Sequence, residues 1–210
     1  MRWMAILLVG SVILAGLTQV ASASIIQIQL GGVDIGYDGT NIVDSGSTDP
    51  DALTNATFLI ASAPVGVDNT DVTLDLYVPS VLNIPASGGQ VTSASGGSLD
   101  LDLGDGDFLS LTLDAGIVSY VSITSSIQFV FLGSSSSIDG QQLPYGLSLE
   151  DPVTVTFSTQ VIGPVSQSGS YVSGFYAAGT GEIQGVPEPA TVSLLALGGL
   201  GVLLRRRRIA

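Results

Sequence analysis

The side chains that could do chemistry in this 210-residue sequence are almost all carboxylates. His, Cys and Lys are absent, and the five arginines are Arg2 and the block Arg205, Arg206, Arg207 and Arg208. A Ser-His-Asp or Cys-His nucleophile, a Schiff-base lysine and a His- or Cys-ligated zinc therefore cannot be assembled. The catalytic option left is a carboxylate pair of the kind that hydrolyses glycosides. Glu150 and Asp151 are adjacent, but they stand before Pro152 and read as turn chemistry ahead of a strand. The expectation is a protein that is not an enzyme.

Asp100, Asp102, Asp105 and Asp107 make the densest acidic run, and Ca²⁺ takes several oxygens from such runs. On a strand, Asp100 and Asp102 would share a face about 6.6 Å apart, and the run lacks both the spacing and the closing Glu of an EF-hand. A solvated strand face closed by an Asp/Gly turn is the favoured reading, with a structural Ca²⁺ on these four residues as the alternative. No other cofactor is expected. Thr154, Thr156 and Ser158 form a short hydroxyl row, which without matching rows on neighbouring strands is ordinary strand composition. Asn55-Ala56-Thr57 fits a glycosylation sequon and reads as loop-to-strand sequence. Tyr77, Tyr120, Tyr145, Tyr171 and Tyr176 are the rings available to stack on a sugar.

The elements that must carry these residues are strands. Only 11% of residues are charged, and Gly, Ser, Thr, Val, Leu and Ile dominate. Val72, Leu74, Leu76 and Val78 alternate with polar residues, as do Leu99, Leu101 and Leu103 with Asp100 and Asp102. Leu109, Leu111 and Leu113 follow a Gly-Asp-Gly-Asp turn, so residues 98 to 114 predict a hairpin. Further strands are expected at the start of the body near Ile26, Ile28 and Leu30, and at 57–62, 116–124, 126–132, 153–161 and 170–178. About nine short strands predict an all-β fold, an antiparallel two-sheet β-sandwich over residues 24–177, followed by a Gly-containing linker at 178–185. Loops are expected at 44–51, 87–97, 134–137 and 166–170.

The two ends have a different character. A basic start at Arg2, an apolar run at residues 5–17 and the small residues Ala21 and Ala23 make a leader, with cleavage by signal peptidase expected after Ala23, so that 1–23 is a signal peptide. At the other end, Val186, Pro187, Glu188 and Pro189 precede an apolar run, and the four arginines close it. The prolines hold their neighbours extended, residues 190–204 suit a transmembrane helix, and Arg205 to Arg208 resist translocation as a stop-transfer signal.

This order of motif, helix and Arg block over residues 186–210 resembles the PEP-CTERM protein-sorting family, whose tail also goes under the name ice-binding protein C-terminal domain. The resemblance implies that an exosortase, a membrane-embedded transpeptidase-like enzyme of bacteria that make extracellular polysaccharide, recognises the tail. It implies nothing about the body.

All eighteen carboxylates lie between Arg2 and Arg205, and no cationic side chain lies among them. That surface repels phosphates, so no nucleic-acid partner is expected. The expectation is an exported protein, held first as an inner-membrane precursor with its body outside the cytoplasm and then displayed on the envelope, surface or extracellular matrix in a structural or adhesive role. The alternative is a carbohydrate- or Ca²⁺-dependent binding module, with extracellular polysaccharide as partner.

Overall fold

The computed structural model describes residues 25–45, 51–68, 71–122, 126–131 and 136–187. The signal peptide with Ala21 and Ala23, the motif residues Glu188 and Pro189, the 190–204 helix and Arg205 to Arg208 lie outside the described residues. Among the described residues no helix is long and apolar enough to cross a membrane.

The first strands are β1 (Ile26–Tyr37), β2 (Ile42–Asp44), β3 (Asp51–Ala52), β4 (Asn55–Ile60), β5 (Ala63–Asp68), β6 (Thr73–Val78) and β7 (Gly89–Thr92). They are followed by β8 (Gly97–Gly104), β9 (Asp107–Leu113), β10 (Ile117–Val121), β11 (Ser126–Phe131), β12 (Ser136–Gln142), β13 (Leu149–Ser168) and β14 (Tyr171–Pro187). Among the described residues the all-β expectation holds, and every strand pairing there is antiparallel.

The leucine alternation has the effect read from it. Leu74 and Leu76 of β6, Leu99, Leu101 and Leu103 of β8, and Leu109, Leu111 and Leu113 of β9 are all buried, while Asp75, Asp100 and Asp102 point to solvent. The hairpin joins β8 to β9 through Asp105 and Gly106, both at positive φ (52° and 88°). Two consecutive left-handed residues make the turn whose twist matches the flanking strands, and Asp-Gly is the pair that tolerates it.

The fourteen described strands form one sheet in the order β12-β9-β8-β6-β2-β1-β14-β13-β11-β10-β7, with β3 on β6 and β4–β5 branching from β1. The expected pair of separate sheets is replaced by this single curled sheet, because its central strands are long enough to serve both halves. β1 pairs with β4 over Ile26–Gly31 and with β2 over Ile35–Tyr37, while β14 follows its other edge throughout. The fork falls at a bulge between Gly31 and Val33. Ile26, Ile28 and Leu30 point inward before it, and Val33, Ile35 and Tyr37 after it. One extra residue thus resets the phase of the strand, since side chains alternate faces with a period of two. Gly32 supplies it at φ +78, where a Cβ would lie 2.3 Å from the Thr54 hydroxyl oxygen.

The curl is closed by side chains. Gln141 of β12 donates from Nε2 to the Leu149 carbonyl (2.7 Å) and accepts the Leu149 N–H (2.9 Å), standing in for a strand pairing at the start of β13. Asp151 accepts the Ile138 N–H at 2.8 Å. Glu150, Asp151 and Pro152 therefore sit in a register break of β13 and not in a turn before it. One apolar cluster fills the interior, with Ile28, Leu30, Phe58, Phe157 and Ile183 among its members.

Residues 178–185, expected as a linker, are the middle of β14. Ala178 to Gly185 pair with Asp34 to Ile26 on one side and with β13 on the other, and Ile183 is fully buried. The body therefore extends to Pro187.

Candidate functional site

The sorting motif begins inside the sheet. Val186 pairs with Glu150 and Pro187 with Leu149 of β13, whereas pairing with β1 ends at Gly185 and Ile26. With no β1 partner in register there, a residue lacking an N–H can finish the strand. The chain thus passes from the most central pair of strands into the motif with no spacer.

Three of the four aspartates singled out for Ca²⁺, Asp100, Asp102 and Asp107, line one open pocket together with Asp75, which pairs with Asp100 across β6 and β8. Asp100 and Asp102 stand on the outer face of β8, where Asp100 accepts a hydrogen bond from the Ser110 hydroxyl and Asp102 accepts the Gly104 N–H at 2.9 Å. Asp105 sits in the turn, and Asp107 accepts the Gln142 side-chain amide at 3.2 Å. Among the described residues no three carboxylates are gathered in a way that could hold a metal ion.

A carboxylate cluster lies elsewhere, where β1, β2, β3 and β6 meet. Asp51 is only 5% exposed and accepts the Asp34 N–H at 2.8 Å, while its own N–H donates to Asp44 at 3.1 Å. Asp44 also accepts the Leu76 N–H at 3.2 Å. Burial raises the pKa of Asp51; the Asp34 N–H opposes that rise, and the nearby charges of Asp34 and Asp44 add to it. Asp38, in contrast, is held below its usual value, first by the Asn41 N–H and also by that of Thr40, against a smaller cost of burial. These backbone donors replace the cationic partners that the sequence lacks between residues 24 and 204. Asp44 and Asp51 flank a segment whose composition reads as loop, so only their shared dependence on backbone donors reveals them.

On the outer face of β4, β1, β14 and β13 lies a shallow polar groove lined by Asn55, Thr57, Gln29, Thr156, Ser158 and Glu182 among others. Glu182 accepts the side-chain amides of Gln27 (2.9 Å) and Gln184 (2.7 Å). Thr156 faces Glu182, Ser158 faces Thr180 and Thr154 faces Gln184, so the hydroxyl row of β13 has no matching hydroxyl row on β14. Asn55 of the sequon pairs with Gly31 inside the sheet.

The five tyrosines have different fates. Tyr120 is buried, and Tyr145 lies over Gly66 with its ring 5.5 Å from that of Phe58. Tyr171 is exposed at the β13–β14 hairpin, where its backbone bridges to Pro85. Tyr77 and Tyr176 come together on one outer face. The register sets Ile162, Tyr176, Gly36, Val43 and Tyr77 side by side on β13, β14, β1, β2 and β6. Between the two rings runs a groove of about 500 Å³ whose lining includes Gly36, Asp38, Val43, Ser45 and Asp75. Of the five tyrosines considered from sequence, two therefore share a site, and only the strand order could have paired them.

No curated protein and no solved structure matches the chain. A family model described as the PEP-CTERM protein-sorting motif matches residues 185–208, the stretch that starts at the last β1–β14 pair and continues into the tail, and the chain carries that sorting motif.

Proposed function

We propose that the protein is an exported, exosortase-sorted display protein whose curled β-sheet body has a structural or adhesive role outside the cytoplasm and no catalytic activity. The sorting motif at 185–208 carries this reading. Signal peptidase removes residues 1–23, the 190–204 helix holds the precursor in the inner membrane, and Arg205 to Arg208 stay on the cytoplasmic side. The distribution of charge supports that orientation, since every basic residue lies at an end and every carboxylate lies between them. The body holds no His, Cys, Lys or Arg, so a reaction there would have to use carboxylates, and Asp44 and Asp51, the buried ones, are tied to backbone N–H groups.

Replacing Pro187, Glu188 and Pro189 by alanine tests the sorting step. The variant is expected to accumulate in the inner-membrane fraction of an exosortase-containing host as an unprocessed precursor while the wild type leaves that fraction. Equal distribution of both forms would reduce the tail to a plain anchor. The second reading, a carbohydrate-binding module, is favoured by the groove between Tyr77 and Tyr176.

A further inference from the structure

We infer that the groove between Tyr77 and Tyr176 is a binding site for an uncharged, hydroxyl-rich glycan. This rests on the adhesive reading and names its ligand class. Tyr176 is 67% exposed and Tyr77 is 40% exposed, although both stand on well-paired central strands. Three inter-strand steps separate them, about 14 Å, the length of a short oligosaccharide. Gly36 keeps the floor between them low. A Cβ there would lie 3.5 Å from Cε1 of Tyr176 and 3.2 Å from Cβ of Ser45, so the Tyr176 ring leans across the bare backbone of β1. Covering a glycine would account for a buried ring, but this ring leaves two-thirds of its surface to solvent.

The chemistry around the rings selects the ligand. A pyranose presents an apolar C–H face, which stacks on tyrosine, and a rim of hydroxyls, which need hydrogen-bond partners. Tyrosine gives such a face at low cost in side-chain entropy. Asp38, Asp75 and Ser45 line the groove between the rings and give it a polar wall for hydroxyls, with one Asp38 oxygen already accepting the Thr40 and Asn41 N–H groups. A volume of about 500 Å³ falls within the usual range for small-ligand clefts. Charge narrows the class further. With eighteen carboxylates and no base between residues 24 and 204, a uronate or sulfated polymer would be repelled.

The test is calorimetry on the full chain in a sugar-free zwitterionic detergent. The titrants are cellohexaose, mannohexaose, a β-1,4-galactan hexasaccharide and, as the anionic control, an alginate hexasaccharide. At least one neutral hexasaccharide is expected to bind, and alginate is not. Tyr77→Ala and Tyr176→Ala should each weaken binding by about tenfold or more, in keeping with the loss of an aromatic anchor. Tyr176→Phe keeps the stacking face and should restore it, and Tyr171→Ala, outside the groove, should leave it unchanged. Thermal unfolding of each variant reports whether the fold is retained, and if Tyr176→Ala unfolds, Tyr77→Ala and Tyr176→Phe decide. A folded chain that binds none of the neutral sugars, binding indifferent to both tyrosines, or equal binding of alginate would overturn the assignment. The titration reads the groove alone, so a failure of sorting shows in fractionation and not here.

Discussion

At the scale of single residues, the body solves the problem of being anionic without cations by giving its buried carboxylates backbone donors. Asp51 is the case where that solution is incomplete, since burial is the first cause of its raised pKa. A carboxyl whose folded pKa lies above its unfolded value binds protons more tightly when folded. Its stabilising contribution is complete below the unfolded pKa and is lost as pH rises through the folded one. Asp51→Asn keeps an oxygen for the Asp34 N–H and removes the charge, and it is expected to be more stable than the wild type at pH 7 by on the order of 1 kcal/mol. Urea titrations from pH 4 to 7 check this: the advantage should shrink as pH falls, and a variant less stable at pH 7 would show that the charge is needed. Asp38 works in the opposite direction, since its depressed pKa gives a contribution present at neutral pH and lost in acid. Neither aspartate was legible as a functional feature from sequence, because each acts through donors whose positions depend on the strand order or on a local turn.

The elements that were legible are those with one wet face. In β6, β8 and β9 a period of two in leucine and aspartate reports both strand and orientation, and the Asp-Gly turn fixes the hairpin register. β14 failed the same reading for a physical reason. Its glycines at 179, 181 and 185 look like linker composition, yet they mark close approach. A Cβ on Gly181 would lie 2.7 Å from the ring of Phe157, and one on Gly179 would lie 2.2 Å from the Ser158 carbonyl oxygen. Hydrogen exchange distinguishes the two roles. The amides of residues 178–185 that pair with β1 and β13 are expected to be among the most protected in the chain, exchanging only through global opening. Exchange at the rate of an open coil would restore the linker. The long hairpin of β13 and β14 also explains why two sheets were expected: short strands were read where a 20-residue and a 17-residue strand span both halves.

At the scale of the whole molecule, the sequence divides into an acidic body and two ends that hold all five arginines, the C-terminal one carrying the sorting motif. The C-terminal sorting motif was legible because its signal is local: a motif, an apolar run and a charge block in order. The groove between Tyr77 and Tyr176 was not, because the two residues are 99 positions apart and share a face only through the pairing of β14, β1, β2 and β6. The same topology joins the two parts, since the strand that organises the sheet is also the one that delivers the motif. A folded body consequently presents its processing segment directly at the end of β14, and the sheet and the tail are expected to be exported as one unit.

Intact-mass measurement of the protein recovered from the envelope or medium of an exosortase-containing cell tests this account most directly. The account predicts a chain that begins at Ser24 and lacks residues 192–210. Recovery of a soluble cytosolic chain that retains both apolar ends would contradict it.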